Sequence, residues 1–362
     1  MRIFLCGDLM LGRGIDQILP APVDPGLHEP YVGDARAYVK LAEEASGPIP
    51  RGAPPSYIWG DLPEVLEQEQ PELRIGNLET SITRSDDFTR EKGIHYRMSP
   101  DNVDVLEPPG FDCLTLANNH VLDWGTEGLA ETLETLDRAG VGRCGAGRTR
   151  TEAASPIETS PAPGTGPLVW GVGDRSSGIP GRWAAGEDTP GVWLKGADRD
   201  LLRNVAGAGL RIVSIHWGRN WGYAIPPRQQ QLGRALIDEA GVTIVHGHSS
   251  HHPKGMEFYN GGLILYGAGD FINDYEGIGG HERYRPDLTA GYFVDMEEGA
   301  AAVRRVLVVP FRLRRFRLER ATAADTEWLA QTLEATSSAG GVTCRPVSGP
   351  AIECSAVAGT SV

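Results

Sequence analysis

The sequence has little cysteine, and none of it is paired in a motif. Cys6, Cys113, Cys144, Cys344 and Cys354 are odd in number and widely spaced, with no CxxC. Neither a disulfide framework nor a zinc knuckle is expected to organise such a chain. Basic residues are also scarce: 34 Lys and Arg stand against 48 Asp and Glu, giving a formal charge of -14. That balance argues against nucleic acid as the main partner. Long apolar runs are missing as well. The opening stretch "MRIFLCGDLMLGRG" breaks into Gly-Asp too soon for a signal-peptide core or a membrane span. The expectation is a cytoplasmic protein with no membrane partner. No internal repeat is visible.

What is present is a series of short runs rich in β-branched and aliphatic residues, at 2–7, 72–77, 113–118, 168–173, 211–217, 242–247, 262–267 and 291–296. These read as buried strands. Between them lie helical patterns. Over 126–140 Thr126 can cap a start, Leu129, Leu133 and Leu136 form one stripe, and Gly140 is a stop. Over 227–241 a Pro occupies the first turn and Gly241 follows. Alternation of strand and helix makes the class α/β. The Pro-, Ser- and Thr-rich segment 148–166 reads as an irregular hairpin, because strands resume on both sides. From about residue 335 small polar residues dominate, so one domain over 1–334 is expected, followed by a loose tail over 335–362.

Ligand-type residues recur at strand ends. Asp8 follows the first strand, Glu79 the second, Asn119 and His120 the third; His216 ends a later one, His248 and His251 follow the next, and Asp270 follows "LILYGAG". The carboxyl ends of strands in an α/β sheet gather at one edge, where ligands bind. Imidazole with carboxylate suits zinc, iron, manganese or nickel. Roughly six ligands exceed one tetrahedral ion and suit a pair. Each residue also has a plainer reading. Asp8 can cap the following turn, Asn118 and Asn119 can be turn residues, and His216 beside Trp217 can be a satisfied core histidine. The cluster "VHGHSSHH" is harder to explain so, since it packs four of nine histidines into seven positions after an apolar strand.

Taken together, "GDLMLGR", "GNLETSIT", "LANNHVLDWGTEGLAETLETLDRAGV", "VSIHWG" and "GHSSHHPKGMEFYNGGLILYGAGDF" resemble the CapA family of poly-γ-glutamate capsule synthesis, a branch of the calcineurin-like metallophosphatase fold. The resemblance implies a four-layer sandwich: two mixed β-sheets flanked by helices, with a dinuclear site at the sheet edge. It implies that Asp8, Glu79, Asn119, His216, His248 and His251 hold two divalent ions (manganese, zinc, iron or calcium). His120 falls at the position of the catalytic histidine, with Asp123 orienting it or capping the next helix. Three features depart from the family's metallophosphatase relatives. Met10 replaces the histidine of Asp-x-His, Arg219 and Asn220 follow "HWG", and Asp270 stands where Asn is usual.

Three functions follow from the resemblance. One is phosphoester hydrolysis with His120 as acid; another is an accessory role in polyglutamate synthesis. The reading preferred on the sequence is a metal-dependent peptidyl Cα epimerase resembling the soluble lasso-peptide branch, acting on a ribosomal precursor peptide. In that scheme His95, His252 and Asp270 are candidates for the opposite-face acid or base. Arg13, Lys92, Arg97 and Arg175 would hold an anionic substrate, and Trp217 would line its pocket.

Overall fold

The computed structural model describes residues 1–159, 166–297, 299, 301–337 and 341–357. In its first strand, Arg2–Leu9, the side chains of Ile3 and Leu5 pack on one face and those of Phe4 and Cys6 on the other, all fully buried. A strand covered on both faces belongs in the middle of a sheet, and this one does. It lies in a ten-stranded sheet whose path runs Val342–Val347, Ala351–Ala356, Val303–Arg314, Leu288–Met296, Arg2–Leu9, Leu73–Leu78, Cys113–Thr115, Gly142–Cys144. Pairing is parallel from Arg2–Leu9 to Gly142–Cys144 and antiparallel on the other side. A second, six-stranded sheet runs Met256–Tyr259, Gly262–Leu265, Ile244–His248, Arg211–His216, Leu168–Gly173, Ile157–Glu158.

Three apolar clusters fix the layers. Ile3, Leu5 and Ile75 of the first sheet pack with Val169, Ile212 and Ile244 of the second. On the far side of the first sheet, Phe4 and Cys6 meet Val39, Leu62 and the Leu129, Leu133, Leu136 stripe of the helix Gly125–Arg138. On the far side of the second, Val213, Ile215 and Val245 meet Leu232 and Leu236 of the helix Pro227–Asp238. Each fully buried aliphatic or aromatic side chain in these clusters stabilises the fold by about 1.5–3 kcal/mol. The architecture is therefore mixed α/β, with two main sheets and flanking helices.

Two local expectations change. The strand expected over 113–118 stops at Thr115, because Asn118 turns the chain: its Oδ1 accepts from the backbone N of His120 (3.0 Å) and of Val121 (3.1 Å), and its Nδ2 donates to Leu78 O (2.8 Å). The loose tail is also corrected. Val342–Val347 and Ala351–Ala356 pair as an antiparallel hairpin on the edge of the first sheet, and Cys344 and Cys354 are disulfide-bonded. Val342, Cys344, Ile352 and Cys354 alternate inward into the core between the sheets, which gives this segment the apolar burial that its composition hides. Residues 338–340 and 358–362 of that expected tail, and 160–165 of the expected hairpin, lie outside the described residues. Among the described residues no helix is long and apolar enough to cross a membrane.

Candidate metal centre

Strand ends from both sheets meet at one point. In the second sheet His216 and His248 are register partners on adjacent parallel strands, so their side chains leave the same face side by side. In the first sheet Asp8 pairs with Asp270 and Asn77. Gly7 makes the approach possible, since a Cβ there would lie 1.7 Å from Gly269 O. Asp8, His216 and His248 each offer one ligand atom, all within 4.8 Å of one another and all buried. Asp8 Oδ1 lies 3.5 Å from His248 Nδ1 and 3.9 Å from His216 Nδ1, which are themselves 2.8 Å apart.

Ring orientation follows from the outer contacts. His216 Nε2 faces Asn119 Oδ1 at 2.7 Å, an acceptor, so this nitrogen carries the proton and Nδ1 turns a lone pair inward. His248 Nε2 rests 2.9 Å from Ser214 Oγ. Burial lowers the pKa of both rings well below the ordinary histidine range, which keeps them neutral and able to ligate. The carboxylates show the opposite imbalance. Burial, then the charge of Asp270, pushes Asp8 up to about 7, and burial with Asp8 raises Glu79 well above its usual range. Glu79 Oε2 is buried with no hydrogen-bond partner. Crowded acids, an orphaned carboxylate oxygen and inward imidazole lone pairs fit a divalent cation. Asp8 is further held by Asn77 Nδ2 (2.7 Å) and by the backbone N of Ser249 (3.1 Å). Ser249 sits at φ 96°, a strained conformation at the site itself.

The other expected residues divide. His251 and Asp270 form their own pair, Nδ1 to Oδ1 2.8 Å, with the far ring nitrogen 2.8 Å from Asn220 Nδ2. His251 Nδ1 is thereby engaged, although His251, Glu79, Asn119 and His120 all line the cavity of about 510 Å³ that opens over the centre. His120 is oriented by Asp123, Nδ1 to Oδ2 2.7 Å, and its Nε2 lies 3.9 Å from Glu79 Oε1. Lys92 bonds both Asp123 and the Asn119 carbonyl, which makes it a brace behind His120. Arg13 lines the cavity, but its guanidinium is bound to Asp274 and, at 2.9 Å, to Glu29.

Five other expected side chains do not line the metal-site cavity. His95 is buried against His28, Phe88 and Trp124, with Nε2 on Thr89 O at 2.7 Å. Arg97 stacks 3.9 Å over Trp124 and bonds Asp86. Arg175 is exposed and outside the cavity lining. Trp217 is a core residue of the second sheet, its Nε1 donating to Tyr266 O at 3.0 Å. His252, the further acid-base candidate, packs between Trp221 and Tyr284, with Nδ1 3.0 Å from Pro253 O. Asn77 and Ser214 were not singled out in the sequence. Asn77, two residues before Glu79 and within the strand Leu73–Leu78, carried the same strand-end signal.

Comparisons with known proteins agree with one another. Residues 2–275 match the model of the family described as bacterial capsule synthesis protein PGA_cap. A probable polyglutamine synthesis accessory protein of Mycobacterium tuberculosis is 43% identical over 344 residues, covering 92% of this chain and 90% of that one. The PGA biosynthesis protein CapA of Bacillus subtilis is 32% identical over 205 residues, covering 55% and 52%. The capsule biosynthesis protein CapA of Bacillus anthracis is 29% identical over 190 residues, covering 51% and 45%. These relatives overturn the lasso-peptide epimerase expectation, and with it the isomerase and peptide natural-product assignments. Met10, Arg219 and Asp270 replace residues usual in the family's metallophosphatase relatives. Asp8, His216 and His248 nevertheless assemble without them. The chain belongs to the PGA_cap family of bacterial capsule synthesis proteins.

Proposed function

We propose that the protein serves polyglutamate synthesis as a metal-dependent hydrolytic enzyme of the metallophosphatase type, with phosphoester-like bonds as the reaction class. The observation that carries this reading is the buried Asp8, His216, His248 cluster directly behind Asn119, which with Glu79 and His120 lines a 510 Å³ cavity. Asp8, His216 and His248 would hold a divalent ion, which when bound would supply Lewis-acid polarisation of a phosphoryl or carbonyl oxygen. Glu79, with its unpartnered Oε2, and Asn119 would hold a second ion, and His251 and Asp270 would join them only by giving up their mutual hydrogen bond, so a dinuclear centre belongs to the same proposal.

His120 is assigned proton transfer. Its Nδ1 faces Asp123 and therefore carries hydrogen, which leaves Nε2 free to accept. Burial lowers the ring to about 4, so it starts neutral and takes a proton at Nε2 before returning one to the leaving group. Asp123 holds that tautomer and Lys92 holds Asp123, so both are positioning residues. The test is release of phosphate or nitrophenol from simple esters by metal-replete protein. Turnover that requires the ion and is lost in His120→Ala, with the ion retained, supports the reading. Absence of turnover in metal-replete wild type on any ester would leave the accessory role without hydrolysis.

A further inference from the structure

A second cavity, of about 640 Å³, adjoins the first, and Trp221 lines both. Its distinguishing feature is Lys254, only 6% exposed, with its ammonium donating to Ala224 O at 3.1 Å. Among the described residues no carboxylate lies within 4 Å of it. A buried ammonium without a counterion costs stability, and burial accordingly lowers its pKa to about 8. The backbone is shaped around this side chain. Gly267 leaves the space through which the Lys254 stem passes, since a Cβ there would stand 2.9 Å from Lys254 Cδ. Gln229, 7% exposed, also lines the cavity, and its Oε1, an acceptor without a hydrogen-bond partner, calls for a donor such as a peptide N–H and not for the anion itself.

The remaining lining supports an anion. Arg219 and Arg228 stand exposed at the rim, and among the described residues neither has an acidic partner within 4 Å. Asp174 is the acid in the lining, and it is already engaged, with Ser176 Oγ at 2.6 Å and Lys195 Nζ at 3.4 Å. Trp217 and Leu232 provide apolar wall. On a chain with net charge -14 such a lining is local and specific. One buried ammonium matches one monoanion, so a carboxylate suits the site better than a phosphate dianion. Apolar wall beside it suits the methylenes of a glutamyl side chain.

We propose that the Lys254 cavity is a carboxylate subsite that holds an acidic peptide chain, one of whose neighbouring units lies across Trp221 in the metal-site cavity. The site itself stands on Lys254 and its surroundings; the glutamyl identity of the chain rests on the role in polyglutamate synthesis proposed above. Trp221 stacks on His281 at 3.8 Å and lies 5.3 Å from His251, so a chain crossing it touches groups that line the metal-site cavity.

The test is calorimetric titration of the full, metal-loaded chain with a short glutamate oligomer, a glutamine oligomer of equal length, and free glutamate. Lys254→Met preserves the stem and removes the charge; its thermal unfolding verifies folding. The expected result is that the glutamate oligomer binds, the glutamine oligomer does not, and Lys254→Met weakens binding by about tenfold or more, as loss of a charged hydrogen bond requires. Unchanged affinity in folded Lys254→Met overturns the subsite. Equal binding of the glutamine oligomer overturns the carboxylate, and equal binding of free glutamate overturns the chain. His120→Ala separates the two proposals: oligomer binding that persists there, and in a wild type without esterase turnover, leaves this subsite intact while hydrolysis fails.

Discussion

Two buried charged clusters face the same cavity, and they are built in opposite ways. Around Arg13 the protein supplies its own cation. The guanidinium is bound to Asp274 and Glu29, donates to the Tyr38 hydroxyl at 3.1 Å, and lies 4.0 Å over the Tyr38 ring and 4.4 Å from that of Tyr96. Around Asp8 the acids stand without one. Asp8 and Glu79 are pushed up in pKa, an oxygen of Glu79 has no partner, and the neighbouring imidazoles are neutral. A buried network that balances itself is architecture; one that is left short of positive charge awaits a ligand. Lys254 is the mirror case, a cation without an acid.

That contrast breaks first at the reacting group. His120→Ala should lower turnover by about 10²–10⁴-fold, with metal content and melting temperature unchanged. A parallel loss of metal, read by elemental analysis, would move His120 from chemistry to ligation. Arg13→Met should destabilise the fold by about 3–5 kcal/mol in urea titrations, because Glu29 and Asp274 stay buried without their partner. Adding Glu29→Gln and Asp274→Asn should recover most of that loss. Chelation should act only on the Asp8 cluster. A site saturated at about 100 times its dissociation constant contributes roughly 2.7 kcal/mol, seen as a melting temperature that falls with chelator in wild type and not in His248→Ala.

The smallest effect sharpens the mirror case. Lys254→Met should stabilise the protein at neutral pH, on the order of 1 kcal/mol, by removing an unpaired buried charge. The effect fades with pH in a defined window. The folded pKa is lowered to about 8 from 10.5, so raising pH through that interval lets native wild type shed its proton before the unfolded chain does. Wild type gains stability there and the advantage of Lys254→Met shrinks. A gap that widens between those values would contradict the burial of an unpaired ammonium.

Much of the fold was legible because its strands are covered on both faces and so read as continuous apolar runs. Leu168–Gly173 coincides with its expected bounds, and Arg211–His216 differs by one residue. The centre was legible for a related reason: Asp8, His216 and His248 end such runs, and parallel strands bring their ends together. The C-terminal hairpin was not legible, because Cys344 and Cys354 sit among small polar residues and gain their burial from an edge far away in sequence. Arg97 and His95 do not line the metal-site cavity. Each is of a functional residue type, yet each is engaged by a neighbour in the preceding loop, Asp86 or Thr89 O, a contact that composition does not reveal.

The most direct test of the central claim is ion stoichiometry by elemental analysis of purified, metal-replete protein, compared with Asp8→Asn and with a combined His216→Ala, His248→Ala variant. The account predicts stoichiometric divalent metal in wild type and its loss in both folded variants. Metal-free wild type, or variants that retain the wild-type content, would contradict it.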